Sequence, residues 1–292
     1  MVATAQQKSL ALVPKFTGAL SLIGSLFILQ DILRDKKKRT KSVYHKVMIG
    51  LSTFDVMSSI ANIFSTWPSP ADQAASIYLA SGTTATCTAQ GFFNELGNIT
   101  TPLYTVALCM RYLLVVRYNW KESRLEKYEK LFHVVPVSIG FLMAILGLPF
   151  QLYNNSGWIC WYAPYPQGCM VDNTCTRGGQ AGTFRWIHYG IIWSAILFVT
   201  AGMILIYIQV RDQEKKASFF RDASTPSEQP DGSMAGAVRR LSRRLSFTSR
   251  IESPAQQRAR KRMAKSKKVA AQAFLYVGAL YLTWGFTTVC SY

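Results

Sequence analysis

Asp55 and Glu95 stand deep inside otherwise uncharged apolar runs, and each belongs to a polar row at helical spacing. Ser52, Asp55, Ser59 and Asn62 form one row; Asn94, Asn98, Thr101 and Thr105, with Glu95 beside them, form the other. Steps of three and four residues keep such side chains on one face of a helix. Carboxylates and carboxamides in an apolar medium hold a ligand or an ion, or they hydrogen-bond one helix to the next. Both readings stay open for the asparagines, whereas for Asp55 and Glu95 a functional cavity facing the bundle interior is expected.

Catalytic chemistry has no footing in the sequence. His45, His133 and His188 are scattered and outside metal-ligand spacing. There is no Walker-type phosphate loop, nucleophile elbow or Cys-x-x-Cys pair. The expectation is a non-enzyme without metal or cofactor. Two covalent modifications are encoded instead. Arg-Arg-Leu-Ser occurs twice in succession, ending at Ser242 and Ser246, and arginine pairs ahead of serine suit a basophilic kinase. Phosphate there places negative charge in a basic tract. Of two glycosylation sequons, Asn98-Ile-Thr lies within an apolar run and out of reach, while Asn154-Asn-Ser lies in a polar loop as a candidate acceptor.

The elements that carry these residues are membrane helices. Apolar residues make up 49% of the 292 and charged ones only 16%, against about a quarter in ordinary soluble domains. Six stretches, near 12–33, 47–67, 88–116, 132–150, 186–210 and 269–290, approach or exceed the roughly 20 residues that cross a hydrocarbon core. The first span itself serves as the targeting signal.

The net charge of +18 is clumped. Seven Lys and Arg lie in 34–46, five in 117–130 and sixteen in 211–268, whereas 68–86 has none and 151–185 only Arg177 and Arg185. Cytoplasmic loops carry such an excess. The N-terminus (1–15) is therefore expected outside, with spans one to five over 16–210. Residues 211–268 form a basic, largely disordered inner loop, and 269–292 a sixth span. Basic inner loops attract anionic lipid. Nothing in the sequence resembles a folded nucleic-acid module. Cys87, Cys160, Cys169 and Cys175 fall at the oxidising side, where four cysteines pair in three ways. Cys87 and Arg111 are 24 residues apart, about 36 Å of helix, so one tilted helix puts Cys87 at the outer mouth and Arg111 at the inner end.

These residues resemble a G-protein-coupled receptor. Met110-Arg111-Tyr112-Leu113-Leu114-Val115 looks like the rhodopsin-type Asp-Arg-Tyr motif, and Leu51-Ser-Thr-Phe-Asp55 looks like the acid-bearing motif of that family's second helix. Ser21-Leu-Ile-Gly24-Ser-Leu-Phe-Ile, Tyr44-His-Lys-Val-Met-Ile-Gly-Leu-Ser52 and Cys160-Trp161 are similar to the cyclic-AMP-receptor-like and secretin-like group. The resemblance implies an all-α bundle of seven helices, six of them visible, and a multi-pass protein of the plasma membrane. It also implies a Cys87–Cys160 disulfide, leaving Cys169–Cys175 as a second, and coupling of Arg111 and Tyr112 to a heterotrimeric G protein. Asp55, Asn94, Glu95 and Asn98 become candidates for an intramembrane ligand or ion cavity serving an extracellular ligand. Two departures stand out. Met110 replaces the acid that would lock Arg111, so the arginine needs another partner: lipid phosphate, a backbone carbonyl or the G protein. The seventh helix is expected beyond Tyr292, in a longer chain. A transporter or channel with Asp55 and Glu95 in one polar path is the competing class.

Overall fold

The structure, a computed structural model, describes residues 4–35, 42–73 and 76–223, together with Gly278 and Tyr281. The sixth span at 269–290 and the tandem serines Ser242 and Ser246 lie outside the described residues. Five helices are long and apolar enough to cross a membrane: α1 (Ala5–Arg34), α2 (Val43–Phe64), α3 (Thr84–Val116), α4 (Glu129–Leu146, with a preceding one-turn helix Glu122–Leu125) and α5 (Ala181–Ala223).

Two helix starts are written locally. Thr4 and Gln7 cap α1 reciprocally, and Thr83 and Thr86 do the same for α3; each box satisfies amide donors that a helix start leaves open. Because of the first box, α1 begins at Ala5, so most of the expected outer tail 1–15 is helical. The last helix corrects the other boundary. It runs past residue 210 to Ala223, since no Gly or Pro interrupts 211–223 and an intrahelical ladder does not require an apolar sequence.

The long third helix is the axis. It touches α2, α4 and α5, while α1 packs on α2. Small residues set these approaches, as expected where lipid is as apolar as the helix faces. A Cβ on Gly97 would lie 2.6 Å from Ser58 Cβ and 2.8 Å from the Phe54 carbonyl oxygen of α2. One on Gly140 of α4 would lie 2.0 Å from Thr100 Oγ1, and one on Gly202 of α5 2.4 Å from Cys109 Sγ. Away from these seams large apolar side chains point outward, as with Phe16, Leu20, Ile23 and Phe27 of α1. In water this would be an unusual apolar patch; against acyl chains it is the expected surface.

The all-helical expectation needs one correction. The segment after α4 forms an antiparallel hairpin, β1 (Tyr153–Asn155) and β2 (Cys160–Tyr162), with Tyr153 opposite Tyr162 and Asn155 opposite Cys160. Both strands are buried, so their amides and carbonyls must find partners. Tyrosine and tryptophan favour strands, and Gly157 supplies a φ of +106° in the connection.

Close approach at Gly97 makes a clean packing test. Gly97→Val forces backbone against side chain and is expected to lower stability by about 1–3 kcal/mol, read as a lower thermal midpoint in detergent. Gly24→Ala, where nothing lies within 4 Å of the added Cβ, leaves the midpoint the same or higher.

Candidate functional site

The hairpin is held against α3 by covalent and polar bonds. Cys87 is bonded to Cys160, and Cys169 to Cys175. One turn below Cys87, Gln90 Nε2 donates to the Ala61 and Ser65 carbonyls at 2.9 and 2.7 Å, and its Oε1 accepts from the Cys160 amide at 3.2 Å. One carboxamide thus closes the last turn of α2 and ties it to β2. Deeper still, the Tyr153 ring fills the space left by two glycines: a Cβ on Gly91 of α3 or on Gly147 beyond α4 would come within 2.4 or 2.5 Å of it.

Glu95 lies further down α3 and is 0% exposed. Its Oε2 accepts from Trp161 Nε1 at 2.6 Å, and its Oε1 lies 2.9 Å from His188 Nδ1 on α5. One proton lies between carboxylate and imidazole, whichever partner carries it. The imidazole is boxed edge-on by Trp161, Tyr162 and Tyr189, with ring centroids 4.8, 6.4 and 5.5 Å away. The tyrosines above keep their protons: burial, and then the Glu95 charge, push the hydroxyls of Tyr153 and Tyr162 far above the ordinary phenol range. As donors they reach the Ala144 carbonyl at 2.7 Å and the Met143 carbonyl at 2.9 Å on α4. α3, α4, α5 and the hairpin therefore meet in one continuous set of polar contacts.

Asp55 belongs elsewhere. Its Oδ2 accepts from Ser21 Oγ at 2.9 Å and from Ser25 Oγ, both on α1. The two acids expected in one cavity have different partners: Asp55 bonds to α1, while Glu95 bonds to the hairpin and α5. Asn94 is 2% exposed and its Oδ1 receives no hydrogen bond among the described residues; Asn98, one turn on, is half-buried. Asn154, expected to carry a glycan, is 6% exposed. Its Nδ2 donates to the Gln151 and Ala163 carbonyls at 2.9 and 2.8 Å, so the nitrogen that a glycan needs is engaged and enclosed.

At the opposite, basic end Arg111 has a protein partner. Its Nη2 lies 3.1 Å from Glu122 Oε2, eleven residues on. The other oxygen of the same carboxylate accepts from Ser42 Oγ at 2.9 Å and from the Val43 amide at 2.8 Å. α2 lacks a side-chain cap of its own, and Glu122 supplies that cap, where an acid also suits the helix dipole. The guanidinium lies 5.4 Å from the Tyr44 ring centroid and 5.7 Å from that of Tyr112, and its side chain is only 12% exposed. Beside it, Lys46 Nζ pairs with Glu129 at 2.7 Å.

Reading by residue type gave no site role to His188, Trp161 or Glu122. Glu122 carried a weak signal: it is the first of three glutamates among the five Lys and Arg of 117–130, eleven residues beyond an arginine with no acid before it. His188 and Trp161 had none, since nothing local joins them to Glu95.

In comparisons with known proteins, the chain matches no family model and no curated protein.

Trp161→Phe keeps the ring and removes the donor to Glu95. It is expected to cost about 1–3 kcal/mol, the penalty for a buried acceptor left open. A double-mutant cycle with Glu95→Gln is expected to show coupling of about 0.5–3 kcal/mol, measured by thermal unfolding in detergent.

Proposed function

We propose that the protein is a multi-pass receptor of the plasma membrane, with its disulfide end outside, that passes the binding of an extracellular ligand to a heterotrimeric G protein. The observation that carries this reading is the Arg111–Glu122 pair. A single carboxylate, itself one-third exposed, joins the end of α3 to the start of α2 and holds the arginine there. The acid absent at Met110 is thus replaced by one from the connecting segment.

The pair suits a switch because it is modest. Ion pairs near a surface contribute about 0–1 kcal/mol, so a ligand that prefers the open packing by a few kcal/mol reverses the populations. At the outer end the hairpin passes any displacement to α3 and α5 through Glu95. At the inner end, outward movement of α5 and the sixth span opens a crevice beside Arg111 and Tyr112, where a G-protein helix is received. The basic tracts at 34–46, 117–130 and 211–268 lie on anionic lipid, and a basophilic kinase acting on Ser242 and Ser246 weakens that attraction.

The test uses the full chain in nanodiscs with a purified heterotrimer. Glu122→Gln is expected to raise ligand-free nucleotide exchange about five-fold, the ratio that ~1 kcal/mol sets. Arg111→Ala is expected to abolish exchange at equal surface expression. Exchange that is unchanged in Arg111→Ala rules out its role.

A further inference from the structure

We propose that Arg177 binds the carboxylate of a free long-chain fatty acid whose acyl chain lies along the outer third of α3. This deepens the receptor reading by naming a ligand class, and it rests on that reading for its consequence.

Arg177 is held before any ligand arrives. Its backbone pairs with Tyr165, with Tyr165 N donating to Arg177 O at 2.9 Å, and the Cys169–Cys175 bond closes the loop between them. Its Nε donates to Asn154 Oδ1 at 2.9 Å, and Asn154 is itself fixed by its two carbonyl bonds. The direction of the guanidinium is therefore set. Among the described residues its two Nη groups have no acceptor and no carboxylate pairs with it.

Two hollows meet at this side chain, since Arg177 and Thr84 line both. One is polar, about 90 Å³, with Asp72, Gln73, Asn155 and Tyr165 in its wall. That is room for a few waters or a small polar head group. The other is an open groove of about 700 Å³ lined by Ala85, Thr88, Ala89, Phe92, Phe93 and Leu148. Ala85, Ala89 and Phe93 are exposed on a helix long and apolar enough to cross a membrane, and the side chains at 85 and 89 are small, so the open groove runs over them.

Charge selects the head group. Two free N–H donors of a fixed guanidinium match the two oxygens of a carboxylate, and the start of α3 at Thr84 adds the positive end of a helix dipole. Asp72 in the same wall opposes a dianion, so a monoanionic carboxylate is preferred over a phosphate monoester. An uncharged head leaves the arginine unanswered.

The test is equilibrium binding of radiolabelled oleate to the purified full chain in phosphatidylcholine nanodiscs. Saturable binding is expected, at least ten-fold weaker in Arg177→Gln and in Ala89→Trp, which fills the groove at an exposed position. Oleyl alcohol and oleoyl lysophosphatidate are expected to compete at least ten-fold less well than oleate. The proposal is overturned by absence of saturable binding, by unchanged affinity in folded Ala89→Trp, or by either competitor matching oleate. Ala89→Trp decides the matter even where Arg177→Gln unfolds the loop. The assay contains no G protein, so oleate binding without nucleotide exchange supports this site and counts against coupling alone.

Discussion

A carboxylate with no water to turn to organises the disulfide-bonded half of the bundle. Glu95 is fully enclosed, and an unpaired charge there would cost several kcal/mol. Its two oxygens are answered from two different elements, Trp161 on the hairpin and His188 on α5. Satisfying one side chain on α3 thus dictates where a loop folds down and how a neighbouring helix turns. The hairpin, the glycines that admit Tyr153 and the Cys87–Cys160 bond all follow from seating Trp161 at that depth.

The two ends of α3 are tied in different ways. At the disulfide end a covalent bond, a carboxamide and a buried acid hold the hairpin, and none yields to salt or to a competing ion. At the basic end Arg111 is held by a carboxylate whose own side chain is one-third exposed. Water and ions reach that pair, so it exchanges partners at small cost. One long helix thus joins a firmly held disulfide end to a basic end held by a partly exposed ion pair. That mechanical asymmetry underlies the receptor reading.

The spans were legible because a bilayer imposes length and apolarity on each crossing, whatever the helices pack against. The polar rows were legible too, because helical spacing is local. Their partners were not. Asp55 and Glu95 look alike in sequence, each an acid in an apolar run, yet one bonds to serines of α1 and the other to a tryptophan and a histidine far along the chain. Asn154 shows the same limit: a sequon reports residue types, whereas burial of the amide is decided by Ala163 and Gln151 around it.

By itself the sequence determined where the five described membrane-length helices lie, which ends carry positive charge, and which side chains are too polar to face lipid. Each follows from transfer of a residue between water and hydrocarbon, a property of the residue and its near neighbours. The tertiary structure alone decided which acid meets which donor, that Glu122 answers Arg111 in place of Met110, and that the loop beyond α4 becomes a hairpin. Those outcomes depend on pairing between distant segments, and a buried polar atom accepts whichever partner the packing brings within 3 Å.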